Sequence, residues 1–68
     1  MIYDIPVEHS EVDFQTSPNR LKNTSKLKYY LLKKKIDYNC HYCSSKNQWY
    51  VQVDVDEDKK SYIKLRFQ

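Results

Sequence analysis

The sequence predicts an α+β domain in which one basic helix packs on a three- to four-stranded antiparallel sheet, in the order N-terminal edge strand, helix, β-meander. Three observations predict this fold class. The chain has 68 residues, enough for one small domain near the lower size limit for independent folding. Residues 18–36 form a lysine-rich stretch with helical periodicity. In residues 37–68, apolar and polar side chains alternate as they do on a half-buried sheet.

The acidic N-terminal segment, residues 1–17, is expected to form an edge strand or a clasp over the helix. It has no lysine or arginine but four acidic residues, Asp4, Glu8, Glu11 and Asp13. Tyr3, Ile5 and Val7 recur at every second position, which is typical of a strand. Pro6 cannot donate to a sheet ladder, so this strand is expected at the edge of the sheet.

The basic helix is predicted at residues 18–36, where seven lysine and arginine side chains occur without a single acidic one. Ser17 can act as the N-cap, and Pro18 suits the first helical position because its missing N–H is not needed there. Asn23, Thr24 and Ser25 are poor helix formers, so a later start at Thr24 or Ser25 stays open. A helix with charges of one sign requires counter-charges, either within the fold or on a partner.

Two stripes of mostly apolar side chains run along this predicted helix. One consists of Leu21, Ser25, Tyr29, Leu32 and Ile36. The second, on nearly the opposite side, consists of Leu27, Tyr30 and Leu31. A helix that only covers a sheet needs one stripe. The second stripe is therefore expected to lie under the N-terminal segment or to bind a partner.

The β-meander, residues 37–68, is predicted from two hairpins whose apolar side chains share a face. In the first hairpin, Tyr42 pairs with Trp49 around residues 44–47, which places Cys40 opposite Val51. In the second, a strand at residues 61–67 follows a turn at residues 57–59 and lies beside the same central strand. The second register would be lost by a slip of one residue, because every side chain would then change face.

Metal binding and catalysis have little support in the residues. Cys40 and Cys43 are the two cysteines, and His9 could join them as a third metal ligand only if the strand ended at Cys40. A dyad of Cys43 with His41 or His9 lacks an orienting third group. We therefore expect no cofactor, no metal and no enzymatic activity.

Two surfaces are candidate binding sites. The second helix stripe with its basic border, formed by Leu27, Tyr30, Leu31 and Lys34, predicts a site for a protein with an acidic surface. The alternative is a small nucleic-acid-binding module that uses the basic helix and the outward sheet face, with Lys33, Lys35, Tyr50, Tyr62, Lys64 and Arg66. Lysine outnumbers arginine in the basic helix, which argues against base-specific readout.

The composition also predicts a biological setting. Glycine and alanine are absent, while Lys, Asn, Ile and Tyr, which have AT-rich codons, are abundant. With the small size and seven tyrosines, this favours a phage or viral accessory factor that binds and inhibits a host protein. No signal peptide or membrane span is evident in the sequence, so a cytoplasmic location and no membrane partner are expected. A homodimer stays open.

Overall fold

The computed structural model describes residues 1–67, in which two helices pack beside a three-stranded antiparallel sheet and a short two-stranded ribbon. The elements are β1 (Ile2–Val7), β2 (Val12–Asp13), β3 (Arg20–Leu21), α1 (Lys26–Lys33), β4 (Tyr38–Cys43), β5 (Gln48–Asp54) and α2 (Glu57–Phe67), with a 3-10 turn at His9–Glu11. The predicted α+β class with an antiparallel sheet is confirmed. Within residues 1–67, neither helix is long and apolar enough to cross a bilayer.

The β4–β5 hairpin forms in the register that the sequence predicts. Tyr42 pairs with Trp49 and Cys40 with Val51, so the apolar residues of both strands share one face. The turn between the strands contains Asn47 at a φ of 52°, a left-handed conformation that asparagine tolerates better than most residues other than glycine. The hairpin can therefore be built without any glycine.

The N-terminal strand is confirmed as an edge strand. The strand order is β1-β5-β4, so β1 lies at one side of the sheet and accommodates Pro6 there. Ile5 pairs with Val51 and Tyr3 with Val53, which places Ile5 in the core. Because residues 2–7 belong to the sheet, they do not form a clasp across the helix.

The prediction that the meander has a third strand is wrong, because residues 57–67 form helix α2. Asp56 precedes the helix and its carboxylate accepts a 2.9 Å hydrogen bond from the Lys59 backbone N–H, as an N-cap does. Ile63 and Phe67 are four residues apart and share a face in a strand and in a helix alike. Leu65 distinguishes the two structures: it is 86% exposed, whereas a strand would have turned it inward.

The basic helix is shorter than predicted. It starts at Lys26, with the Ser25 side chain accepting a hydrogen bond from the Lys28 backbone N–H, which agrees with the later of the two starts. The predicted start at Ser17–Pro18 is wrong, because the residues after Pro18 lead into strand β3. There Leu21 pairs with Val12, and both are buried.

The core lies between one face of the sheet and the two helices. Leu27 and Leu31 from α1 and Ile63 from α2 pack in one cluster with the central strand residues Val51 and Val53. The second stripe of α1 is thus covered by the sheet and α2, and the N-terminal segment contributes to this cover as strand β1, through Ile5 and Val7. The side of the first stripe that carries Tyr29 and Leu32 faces outward.

Candidate functional site

A groove between α1 and α2, called the helix groove below, is the candidate site because it brings aromatic and basic side chains together. Its volume is about 580 Å³. Its lining residues are Lys26, Tyr29, Tyr30, Lys33 and Lys34 from α1 and its C-cap, and Asp58, Lys59, Tyr62, Arg66 and Phe67 from α2. Aromatic rings and cations make up all of this lining except Asp58.

Packed aromatic rings join the two walls of the groove. The rings of Tyr30 and Tyr62 stack with centroids 5.0 Å apart and an interplanar angle of 20°. The Tyr30 ring also lies 5.7 Å from the ring of Phe67. Tyr30 and Phe67 also pack against the buried core, which anchors this part of the groove to the rest of the domain.

The end of α2 lies near the start of α1. Phe67, at the end of α2, lines a surface depression together with Lys26 at the start of α1, and Tyr62 stacks on Tyr30. Lys26 and Arg66 are therefore expected toward the same end of the groove.

The positive charge of the groove is largely uncompensated. Five cations face one carboxylate, Asp58, so the groove is more positive than the whole chain, whose formal net charge is +3. Within residues 1–67, Lys59 is the one groove cation in an ion pair, at 3.5 Å from Asp56. Burial first, and then the neighbouring Tyr62, raise the pKa of the Tyr30 hydroxyl, so Tyr30 adds no negative charge at neutral pH. A surface with this charge attracts anions.

Exposed apolar side chains extend this surface on both helices. Tyr29 and Leu32 are 69% and 60% exposed and are three residues apart on α1, which makes them neighbours on its surface. Tyr62 and Leu65 have the same spacing on α2 and are 47% and 86% exposed. Each wall of the groove therefore has exposed apolar side chains beside its cations.

The predicted protein-binding residues divide between the core and this groove. Leu27 and Leu31 are buried, at 3% and 0% exposure, so their prediction as partner-contacting residues is wrong. The reason is that they face the sheet and pack in the core with Val51 and Val53. Tyr30 and Lys34, from the same predicted site, do line the groove.

The predicted nucleic-acid residues are also separated by the fold. Lys33, Tyr62 and Arg66 line the groove, whereas the other three do not: Lys35 lies beyond the end of α1, Lys64 on another side of α2, and Tyr50 on the open sheet face. The shared outward face that the sequence predicted for Tyr50 with Tyr62, Lys64 and Arg66 is wrong, because residues 57–67 are helical.

Several groove residues were missed by sequence reasoning. Tyr29, Asp58, Lys59 and Phe67 were not among the predicted site residues, whereas Lys26 belongs to the basic helix that was predicted to contact phosphates. A signal for the α2 members was present: Glu57 and Asp58 in a first turn after Asp56, with Lys64 and Arg66 near the end, are typical of a helix whose charges complement its dipole. Spacing by four would then have aligned Asp58, Tyr62 and Arg66 on one face.

The open face of the sheet carries a small polar cluster without the charge of the groove. His41 Nε2 lies 3.4 Å from Asp4 Oδ1, and its ring stacks on Tyr50 at 5.6 Å. Gln52 donates a hydrogen bond to the same carboxylate. One acidic side chain and one histidine offer little to bind an anion.

The cysteines and histidines have separate surroundings. His9 packs on the Phe14 ring at 4.5 Å, and Cys43 Sγ lies 3.2 Å from Ser45 Oγ in the hairpin turn. Cys40 faces the core side of the sheet, opposite Val51. No group of three or more His, Cys, Asp or Glu side chains that could hold a metal ion occurs among residues 1–67.

Comparison of the chain with models of protein families, with curated proteins and with solved structures found no match in any of the three.

Proposed function

We propose that this chain is a non-enzymatic interaction protein that binds an acidic segment of another protein in the helix groove. The observation that carries the proposal is the lining of the groove, in which stacked aromatic rings are flanked by five cations and one carboxylate. Aromatic side chains provide large contact area at low entropic cost, and partly desolvated cations favour an anionic partner.

The exposed leucines favour a protein partner over a nucleic acid. Leu32 and Leu65 extend the surface beyond the cations, and they can bury area against apolar side chains. They offer nothing to a phosphate. Residues with AT-rich codons are abundant and the chain is small, and both properties are typical of phage and viral accessory genes. We propose further that the chain is such an accessory factor and that its partner is a host protein that it inhibits in the host cytoplasm.

A soluble acidic probe tests the groove directly. A fluorescent random copolymer of glutamate and tyrosine should bind the protein, and raising the salt concentration should weaken the binding because exposed charges are screened. Arg66→Glu, on a groove wall, should lower the affinity by about tenfold, since it replaces an attractive charge by a repulsive one.

Lys64→Glu is the matched control for this experiment. Lys64 lies near the end of the same helix, so its reversal has the same effect on net charge and a similar effect on the helix dipole, but it lies outside the groove. The K64E protein should bind the copolymer nearly as well as the wild type. Absence of copolymer binding, or equal loss in both variants, would overturn the proposal.

A second candidate function is binding of single-stranded nucleic acid in the same groove. The exposed rings of Tyr29 and Tyr62 stand beside Lys33 and Arg66, an arrangement that can stack unpaired bases and hold phosphates. This function requires a labelled oligothymidylate to bind more tightly than the acidic copolymer at the same ionic strength, with loss of binding in Tyr62→Ala. Weaker binding of the oligonucleotide would exclude it as the main function.

A further inference from the structure

We propose that the ligand of the helix groove is an amphipathic α-helix with an apolar stripe bordered on both sides by acidic residues. This inference rests on the proposed function and deepens it, because it specifies the conformation and the charge pattern of the acidic segment. Three features of the groove support it: the spacing of its cations, the position of its aromatic rings between them, and the character of its walls.

The cations have the same spacing on both walls. Lys26 and Lys33 are seven residues apart on α1, and Lys59 and Arg66 are seven residues apart on α2. Seven residues are two helical turns, or about 10 Å along the axis. Because the end of α2 lies near the start of α1, this spacing would place the four cations in two opposed pairs, one at each end of the groove.

The aromatic rings lie between these two pairs. Tyr30 is four residues from Lys26 and three from Lys33, and Tyr62 is three residues from Lys59 and four from Arg66. A ligand helix along the groove would place its apolar stripe on the Tyr30–Tyr62 stack. Acidic residues on both borders of that stripe, seven positions apart, would then face the cations, as the charged e and g positions flank the a and d core of a coiled coil.

The walls of the groove favour a helix over an extended segment. An extended peptide leaves its backbone N–H and C=O groups free, so it usually binds along a sheet edge that can pair with them. The groove is walled by two helices, whose own backbone groups are already paired within each helix. A helical ligand has the same property, so its backbone needs no partner in the groove.

Four labelled probes test this inference by fluorescence anisotropy at one fixed ionic strength. The first is a two-heptad peptide with leucine at a and d and glutamate at e and g. The second has the same composition with the glutamates moved to b and f, away from the groove. The third keeps the first pattern but carries proline at both f positions, which prevents a helix. The fourth is an oligothymidylate of equal charge.

The first peptide should bind about tenfold more tightly than the second and the third, because only it combines a helix with the correct charge pattern. Arg66→Glu should remove most of that preference, and Lys64→Glu should preserve it. Equal binding of the first and third peptides would overturn the helical ligand, and equal binding of the first and second would overturn the charge pattern.

Failure of this inference and failure of the proposed function give different results. If the random copolymer binds in an Arg66-dependent manner but the first peptide has no advantage, the acidic ligand is retained and its helical form is rejected. If neither the copolymer nor any peptide binds, both proposals are rejected. Tighter binding of the oligothymidylate than of every peptide also rejects both, in favour of a nucleic-acid ligand.

Discussion

Truncation of Ile63 and of Leu65 to alanine should affect stability very differently, although the two residues are only two positions apart. Ile63 is 0% exposed and packs in the core beneath α2, whereas Leu65 is 86% exposed on the opposite side of the helix. Ile63→Ala removes buried methyl groups and leaves a cavity, so it should cost about 2–5 kcal/mol of unfolding free energy. Leu65→Ala should change it by less than about 0.5 kcal/mol.

The size of the domain makes the first effect large. A domain of 68 residues has a total stability of roughly 3–10 kcal/mol, so a loss of about 3 kcal/mol removes a substantial part of it. The melting temperature should then fall by roughly 12–24 °C, at about 4–8 °C for each kcal/mol in a domain of this size. If Ile63→Ala does not fold, Ile63→Val, with an expected cost of about 1 kcal/mol, provides a milder comparison with Leu65→Ala.

Urea unfolding followed by tryptophan fluorescence can measure these differences. Trp49 is the single tryptophan, and its ring lies 5.4 Å from those of Phe14 and Tyr42, so its emission should respond to loss of the fold. In a β-meander both Ile63 and Leu65 would face the core, and both truncations would cost several kcal/mol. Similar destabilisation by the two variants would therefore refute the helical assignment of residues 57–67.

Two further predictions concern ionisable groups outside the groove. The hydrogen bond from the Lys59 backbone N–H lowers the pKa of the Asp56 carboxyl. The stabilisation from this bond is thus present above the unfolded-state pKa, about 3.9, and is lost as pH falls through the lower folded-state value. The urea midpoint of the wild type should fall more steeply than that of Asp56→Asn from about pH 5 downward; parallel curves would contradict this. The Ser45 hydroxyl lowers the pKa of the Cys43 thiol, whereas burial raises that of Cys40, so iodoacetamide at neutral pH should alkylate Cys43 first. Mass spectrometry would show the order, and faster labelling of Cys40 would disprove it.

The β4–β5 hairpin illustrates what could be predicted from the residues alone. Its partners are close in sequence, and one register places all of its apolar side chains on the same face, as Cys40 and Val51 show. The pattern and the short turn therefore leave few alternatives. Helix α1 was predictable in the same way, since Ser25 is a good N-cap and the residues after it favour a helix.

The C-terminal helix could not be predicted from apolar periodicity. Ile63 and Phe67 share a face in either structure, and the strand prediction then also placed Leu65 inward. The actual neighbour of β5 on that side is β1, which pairs with it across more than 40 residues of sequence. No local pattern reports such a long-range pairing, but the Asp56 cap and the charges after it were a local sign of the helix.

The candidate site was anticipated in pieces that were assigned to the wrong surfaces. Tyr30 and Lys34 were predicted to bind a protein, and Tyr62 and Arg66 to bind a nucleic acid on the sheet. In the fold these four residues line one groove, because α2 lies beside α1 on the same face of the sheet. The separation of Tyr30 from Tyr62 by 32 positions in the sequence hid their stacking contact.

The sequence by itself determined the fold class, the hairpin register, the edge position of the N-terminal strand and the excess of positive charge on α1. These properties depend on neighbours in the chain or on periodicity, which can be read directly. Tertiary structure decided which stripe of α1 is buried, whether residues 57–67 are strand or helix, and where the cations of the two helices meet. Those outcomes depend on which distant segments compete for the same apolar face of β5, and that competition is settled only when the whole core packs.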